Sequence, residues 1–118
     1  MMSVNTFDPH PAYDAPDSLV ADIDPESIPK PPFRNSDLEI QTQLSSHVFQ
    51  KAPKVPDNAQ QHRTANYYAM IELIDHNVGR LLYELERIGQ RDNTVIIFMS
   101  DHGQLLGDHG LENKGCRF

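Results

Sequence analysis

The sequence predicts an α/β fold of which this chain holds one part, and three observations support that prediction. Apolar residues repeat with helical spacing from Tyr67 to Ile88. A tight turn at Asp92-Asn93 follows, and Thr94–Ser100 is then apolar on both faces and rich in β-branched residues, as a buried parallel strand is. Helix, turn and strand in this order form half of a βαβ unit, so we expect a central, mostly parallel sheet flanked by helices. Because residues 1–66 contain no evident partner strand, the sheet is expected to be incomplete in this chain.

Two helices are expected before the strand. Gly89 is placed to end the longer one, because glycine readily adopts the left-handed conformation found at helix C-termini. A shorter helix is expected from about Leu38 to Phe49, with Asn35-Ser36-Asp37 offering N-caps. The longer helix has a single apolar stripe, whose members lie three or four positions apart: Tyr67, Ile71, Ile74, Val78, Leu81, Leu82, Leu85 and Ile88.

The first third of the chain is rich in proline. Seven of the nine prolines lie between positions 9 and 32. They exclude regular helix and central strand there, because proline lacks the backbone N–H and has a restricted φ. We therefore expect residues 1–35 to form an extended segment with turns, ordered only against a larger body. Residues 36–118 are expected to form the helix–strand–loop part of the same single, incomplete domain.

Charge and composition exclude several classes of protein. The formal net charge is −7, and residues 1–40 hold eight acidic and two basic side chains, which accounts for −6 of it. The acidic first part of the chain therefore argues against nucleic acid as a partner, because binding phosphates requires a basic surface. No apolar run approaches the roughly 20 residues of a membrane-spanning helix, and the first residues lack the features of a signal peptide. A single cysteine excludes an internal disulfide framework.

The stretch directly after the predicted strand has the residues of a binding site. Asp101 and His102 stand where a buried strand would end in a glycine-rich loop, which is where open α/β sheets place their ligands. Carboxylate oxygen is the natural ligand for Ca²⁺, Mg²⁺ or Mn²⁺, whereas imidazole is a less usual ligand for the hardest of these ions. The alternative is a structural turn in which Asp101 caps backbone N–H groups and Gly103 has a positive φ. Both interpretations stay open on residue type and position.

Three further features are candidates that also have a structural alternative. Asp108-His109-Gly110 repeats the triplet Asp101-His102-Gly103, which suggests either a four-ligand cation site or a loop braced by Asp108. Lys114, thirteen residues after Asp101, suits a site that holds an anion beside a cation, although a lysine alone is usually a surface residue. His10 has a proline on each side that stiffens its backbone, but an isolated histidine in a coil is normally unremarkable.

Taken together, these stretches resemble the sulfatase family of the alkaline-phosphatase superfamily. The family pattern is a buried strand, Ser-Asp-His-Gly, a Leu-Gly-Asp/Glu-His-Gly continuation and then a lysine, which matches residues 94–110 and Asn113-Lys114-Gly115. The family's helix before that strand is similar to a stretch of this chain that comprises Tyr67-Tyr68-Ala69-Met70-Ile71, Asp75 and Gly79-Arg80-Leu81-Leu82. Phe7-Asp8-Pro9-His10 is similar to the family's Asp-Pro-His segment. The resemblance covers nearly the whole chain and is weakest at residues 35–60.

The resemblance implies a fold, an activity and roles for four residues. It implies an alkaline-phosphatase-like fold and metal-assisted hydrolysis of sulfate esters, either small molecules or sulfated glycans. Asp101 and His102 match two ligands of a divalent cation, usually Ca²⁺ in sulfatases, with Mn²⁺ or Mg²⁺ as alternatives. Lys114 matches the lysine that holds the sulfate and stabilises the leaving-group oxygen, and His10 matches the histidine that contacts the sulfate or leaving group. Such positive groups stabilise the charge that develops on oxygen in the transition state.

Two departures from the family pattern qualify this expectation. The chain has His10-Pro11-Ala12-Tyr13 where the family usually has His-x-Pro-Phe. The nucleophile motif Cys/Ser-x-Pro/Ala-x-Arg, whose first residue becomes formylglycine, does not occur in the sequence. We therefore expect an internal fragment of a sulfatase catalytic domain that is inactive by itself, with the formylglycine and the remaining metal ligands upstream. The alternatives are a phosphonate monoester hydrolase or phosphodiesterase of the same superfamily, and a non-catalytic degenerate module. Family members are commonly periplasmic, secreted or lysosomal.

Overall fold

The regular structure of the chain is helical. The computed structural model describes residues 1–42 and 54–114, and the side chains of residues 41 and 42 lie outside that description. Among the described residues, no helix is both long enough and apolar enough to cross a membrane. The elements are α1 (Asp17–Val20), α2 (Asn35–Thr42) and α3 (Gln60–Arg87), with single 3₁₀ turns at Pro25–Ser27, Arg91–Asn93 and Asp108–Gly110. The expectation that prolines exclude regular helix from the first third of the chain is wrong at the short helix α1, which begins directly after Pro16, because a proline before the first helical turn removes no hydrogen bond from the helix.

The chain divides into two compact units. The first unit comprises Met1–Asp24 and Ala65–Met99, and the second comprises Pro25–Thr64 and Ser100–Phe118. Each unit is described by itself below.

The predicted sheet and the α/β fold class are wrong for this chain, because the described residues contain no β-strand. Thr94 has an extended backbone, with φ −126° and ψ 120°. The apolar residues that follow are exposed, with 90% of Val95 and 76% of Phe98 accessible to solvent. A strand forms when its backbone N–H and C=O groups pair with a neighbouring strand, and β-branched residues favour but do not supply that pairing. The pattern at Thr94–Ser100 therefore does not form a strand.

The long helix is confirmed, including its end. It begins at Gln60, seven residues before the first member of the predicted apolar stripe, and ends at Arg87. Gly89 has a φ of 66°. Its N–H donates to the Glu86 carbonyl at 2.9 Å, and the Gln90 N–H donates to the Leu85 carbonyl at 2.9 Å. These two bonds form the Schellman arrangement, which satisfies carbonyls that a helix end otherwise leaves open.

The core of the first unit differs in part from the predicted apolar stripe. Its most buried residues are Ala65, Ala69 and Met70, each with 2% or less of its surface accessible, whereas Ile71 of the stripe is 43% exposed. The small side chains at positions 65 and 69 lie on one helix face, four residues apart. The Tyr13 ring meets the Tyr67 ring edge-on within this unit, with ring centres 5.6 Å apart. Such edge-to-face contacts are a favoured arrangement of aromatic pairs.

The second unit is organised around the start of α2. The Arg34 N–H donates to Asp37 Oδ2 at 2.7 Å, and the Asp37 N–H donates to the Arg34 carbonyl at 2.9 Å. Asp37 thus caps α2 from its third helical position, where a carboxylate is also favoured by the helix dipole. The helix was expected to extend to Phe49, and residues beyond Thr42 lie outside the described part of this region. Ile28 and Leu111 are the buried apolar side chains of this unit among its described residues.

Candidate functional site

Asp101 and His102 lie together in the second unit and are open to solvent. Asp101 Oδ2 is 3.5 Å from His102 Nε2, and the two side chains are 85% and 48% exposed. The other carboxylate oxygen, Oδ1, accepts a hydrogen bond from the His102 N–H at 2.9 Å. Asp101 therefore caps a backbone N–H, as the structural-turn alternative expected, but Gly103 does not have the left-handed φ that this alternative required. One carboxylate oxygen remains directed towards the imidazole.

Backbone contacts define which ring nitrogen of His102 carries the proton. His102 Nδ1 lies 3.0 Å from the Gly103 carbonyl oxygen, which can only accept a hydrogen bond. Nδ1–H is therefore the donor, and in the neutral ring Nε2 holds the lone pair. This is the arrangement found at metal-binding histidines, whose other nitrogen donates to a backbone carbonyl. His102 Nε2 and Asp101 Oδ2 are thus two acceptors that face each other, an arrangement suited to binding a shared cation.

His10, in the first unit, repeats the same local arrangement. Its Nδ1 lies 2.7 Å from the Pro11 carbonyl, so Nδ1–H donates and Nε2 holds the lone pair in the neutral ring. The ring packs against Phe7 with centres 4.8 Å apart, and the His10 N–H donates to the Phe7 carbonyl at 3.2 Å. These contacts orient the imidazole of an exposed residue.

Lys114 belongs to the same unit as Asp101 and His102. It lies in a bend at Asn113 and Lys114 and is partly buried. The residues between His102 and Lys114, called the loop below, are held together by internal hydrogen bonds. The Gly107 N–H donates to the Leu111 carbonyl at 2.8 Å, and the Leu111 N–H donates to the Asp108 carbonyl at 3.0 Å. The structure therefore connects the Asp101–His102 pair to Lys114 through an ordered turn.

The second triplet, Asp108-His109-Gly110, is engaged in contacts with the rest of its unit. The His109 N–H donates to the Pro32 carbonyl at 2.7 Å, and His109 Nδ1 lies 3.4 Å from Asp37 Oδ2. Asp37 is only 8% exposed. Burial raises the pKa of Asp108, and the adjacent His109 charge partly opposes that rise. The loop is braced mainly through His109, whereas the sequence suggested Asp108.

Ion pairs hold the end of the loop at Glu112. The sequence did not single out the charged side chains that form them. Lys54 Nζ is 2.7 Å from Glu112 Oε1, and Arg63 lies 2.9 Å from Asp57 and 3.8 Å from Glu112. The hydrogen bond from Arg63 lowers the pKa of Asp57, and the charges of Arg63 and Lys54 lower it further, against desolvation, which raises it. No pattern of spacing joins these four residues in the sequence, so only the folded chain reveals the group.

The donor atoms of Asp101 and His102 fit a divalent cation as part of a ligand set. Among the described residues, no three or more His, Cys, Asp or Glu side chains form a cluster that could hold a metal ion. The two triplets therefore do not combine into the four-ligand site that their repetition suggested. Asp101 and His102 supply one oxygen and one nitrogen donor, whereas Ca²⁺ takes six to eight ligands. The pair can hold a cation only together with other ligands or water.

Comparison with known proteins identifies the family. Residues 27–116 match the family described as Sulfatase. An arylsulfatase of Clostridium perfringens is 44% identical over 54 residues, which are 46% of this chain and 11% of that protein. A choline-sulfatase of Rhizobium meliloti is 36% identical over 80 residues, 68% of this chain and 15% of that protein. The multifunctional alkaline phosphatase superfamily protein PehA of Trinickia caryophylli is 50% identical over 50 residues, 42% of this chain and 10% of that protein.

The family match covers residues 27–116, which are most of the chain, and the family is one of sulfatase-type hydrolases. The chain belongs to the sulfatase family, within the alkaline-phosphatase superfamily. It spans 15% or less of the length of each of the three relatives above. No solved structure matches it significantly.

Proposed function

We propose that this chain contributes part of a metal and sulfate site to an enzyme that hydrolyses sulfate esters. Asp101 and His102 would hold a divalent cation, Lys114 would bind the sulfate oxygens, and His10 would contact the sulfate or the leaving group. The cation, when bound, would act as a Lewis acid on the sulfate oxygens and neutralise negative charge that develops there. These roles rest on the family match together with the local geometry of each residue.

The observation that carries the proposal is the pairing of two acceptors in Asp101 and His102. Asp101 Oδ2 and His102 Nε2 are 3.5 Å apart, and Nδ1–H is occupied by the Gly103 carbonyl. A cation that binds between them would contact both acceptor atoms. Exposure of both side chains leaves room for water or for further ligands beside the ion. Ca²⁺ accepts such mixed sets of protein and water ligands.

The chain's own residues would act by binding and by holding protons. Lys114 would donate hydrogen bonds from its ammonium group to sulfate oxygens, which stabilises charge more strongly as the ester bond breaks. His10, with its lone pair on Nε2, is arranged to accept a proton or a hydrogen bond at that atom. Because the formylglycine motif does not occur in the 118 residues, we propose that the chain alone does not turn over sulfate esters. Turnover of an aryl sulfate by the purified chain would contradict this.

Calcium titration of the 118-residue chain tests the metal site. With two protein donors, we expect weak binding, with a Kd on the order of 10⁻³ M, similar to the weaker extracellular calcium modules. Asp101→Ala is expected to weaken binding at least tenfold, since it removes the charged ligand. Asp108→Ala, the same substitution in the second triplet, is the matched control and is expected to leave the Kd within twofold. Equal affinities for Asp101→Ala and the unmodified chain, measured by calorimetry, would exclude the site.

A phosphonate monoester hydrolase or phosphodiesterase of the same superfamily is a second candidate. The 50% identity over 50 residues with PehA, a protein described as a multifunctional member of the alkaline-phosphatase superfamily, favours considering an activity beyond sulfate esters. Comparing the turnover of an aryl sulfate with that of a phosphate diester by the full-length protein separates the two candidates. Faster turnover of the sulfate ester supports the sulfatase, and faster turnover of the phosphate diester supports the phosphorus-ester hydrolase.

A further inference from the structure

Gln60, the first residue of α3, is buried and makes contacts with both ends of its side-chain amide. It is 3% exposed. Nε2 donates to the Leu106 carbonyl at 2.6 Å. Oε1 accepts from Arg63 NH2 at 2.6 Å and from Arg63 Nε at 3.2 Å. Because a guanidinium only donates and a carbonyl only accepts, these partners define the orientation of the amide without ambiguity.

The bond to Leu106 is made to a strained and tightly packed part of the loop. Leu106 has a φ of 50°, a conformation that a residue with a side chain rarely adopts. At the next residue, a Cβ on Gly107 would lie 2.9 Å from Gln60 Cδ and 3.1 Å from Pro31 Cγ. Strained backbone of this kind persists where surrounding contacts hold it. Gln60 supplies two of those contacts, one by hydrogen bonding and one by packing.

Arg63 continues the connection from Gln60 to the far end of the loop. While it donates to Gln60 Oε1, its NH2 group also lies 3.8 Å from Glu112 Oε1 and 2.9 Å from Asp57. Lys54 secures Glu112 from the other side at 2.7 Å. The loop is therefore attached to the start of α3 at two points, Leu106 and Glu112.

These two attachment points lie between the groups that the proposed function requires. Leu106 is five residues after Asp101, and Glu112 is two residues before Lys114. We propose that Gln60 is a positioning residue that, through Leu106 and Arg63, sets the position of the Asp101–His102 pair relative to Lys114. Gln60 contacts neither substrate nor cation in this role. The inference rests on the proposed function for its purpose, whereas the attachment of the loop can be tested without it.

Amide hydrogen exchange in the 118-residue chain tests the attachment. Gln60→Leu is expected to raise the exchange rates of the Gly107, Gly110 and Leu111 amides at least tenfold. Gln61→Leu is the matched control, because Gln61 Nε2 donates to the Ile28 carbonyl, also at 2.6 Å, and this acceptor lies outside the loop. It is expected to change those three rates less than twofold. Equal effects of the two substitutions on the loop would overturn the proposal.

Gln60→Glu keeps the size of the side chain and the acceptor for Arg63 but lacks the donor to Leu106. It therefore isolates that single bond if Gln60→Leu fails to fold. Faster exchange of the loop amides in Gln60→Glu supports positioning through Leu106, and exchange at the unmodified rate contradicts it.

The effect of bound Ca²⁺ on sulfate affinity distinguishes a positioning role of Gln60 from a general loss of stability. With Ca²⁺ and inorganic sulfate as the two probes, we expect saturating Ca²⁺ to raise the sulfate affinity of the unmodified chain severalfold. In Gln60→Leu each probe is expected to bind alone within about twofold of its original Kd, while the ratio of sulfate affinities with and without Ca²⁺ falls towards one. An unchanged ratio would overturn the positioning role. If the unmodified chain binds neither probe, the proposed function fails, and the exchange rates still decide whether Gln60 holds the loop.

Discussion

The two Asp-His-Gly triplets have the same residues but different environments. In the first, at positions 101–103, the side chains of Asp101 and His102 contact each other and the adjacent backbone, and the triplet is exposed. In the second, at positions 108–110, His109 contacts Pro32 and Asp37, and Gly110 is buried. Identical residues seven positions apart thus form an open pair of donors in one case and a packed brace in the other.

This difference shows that residue type alone does not distinguish a binding site from a structural contact. A carboxylate and an imidazole can bind a cation or fill hydrogen bonds within the fold, and their surroundings decide which occurs. At the second triplet, Asp37 and the Pro32 carbonyl already occupy His109. At the first triplet, the facing Asp101 and His102 acceptors remain accessible to solvent. The comparison therefore predicts that substitutions at the second triplet reduce stability and that those at the first reduce cation binding.

Alanine substitutions of the two triplet glycines should show the largest difference in their effect on the free energy of unfolding. Gly110 has a φ of 77°, and a Cβ there would lie 2.8 Å from the Lys54 carbonyl oxygen, a backbone atom that cannot move aside easily. Gly110→Ala is expected to lower the free energy of unfolding by about 2–4 kcal/mol, combining left-handed strain with overpacking. Gly103→Ala should change the free energy of unfolding by less than about 0.5 kcal/mol. A Cβ added at Gly103 would meet no described atom within 4 Å beyond its chain neighbours, and the φ of Gly103 is not left-handed. Urea unfolding of both variants checks this, and similar losses would remove the contrast.

Substitutions of the two triplet histidines should affect different properties, namely stability at His109 and cation binding at His102. His109→Ala removes the 3.4 Å contact with Asp37 and is expected to lower the free energy of unfolding by about 0.2–1 kcal/mol, the usual contribution of a partly exposed ion pair. The loss is limited because Asp37 keeps the Arg34 N–H as a partner. His102→Ala should leave stability nearly unchanged and weaken Ca²⁺ binding. Urea unfolding and calcium titration of both variants measure the two effects, and a reversed pattern would exchange the roles of the triplets.

Local features of the chain could be predicted from sequence, and features that depend on distant partners could not. The long helix and its end at Gly89 follow from residues within a few positions of one another, and both are confirmed. The predicted strand at Thr94–Ser100 is wrong because strand formation depends on a neighbour that no local pattern supplies. The contact of Gln60 with Leu106 joins residues 46 positions apart, so no spacing rule could reveal it. The family motif located Asp101, His102, Lys114 and His10, whose roles remain predictions.

The smallest effect is expected from the second aspartate, and it depends on pH. Burial raises the pKa of Asp108 above its ordinary value of 3.8, so the folded state holds this proton more tightly than the unfolded state does. The ionised carboxylate therefore costs stability above the folded pKa, and that cost disappears as the pH falls below 3.8. Asp108→Asn has no charge to desolvate and should be more stable than the unmodified chain at pH 7, by less than about 0.5 kcal/mol.

The difference in unfolding free energy between Asp108→Asn and the unmodified chain, measured by urea from pH 7 to pH 3, isolates this one carboxyl group. The difference between the two proteins cancels the opposite contribution of Asp57, whose pKa Arg63 lowers and whose stabilising effect is therefore lost in acid. Asp101→Asn, at the equivalent position of the first triplet, controls for replacing an exposed carboxylate. If the gain in Asp108→Asn persisted unchanged at pH 3, its cause would be packing of the amide and not removal of a desolvated charge. The second triplet would then differ from the first in shape alone.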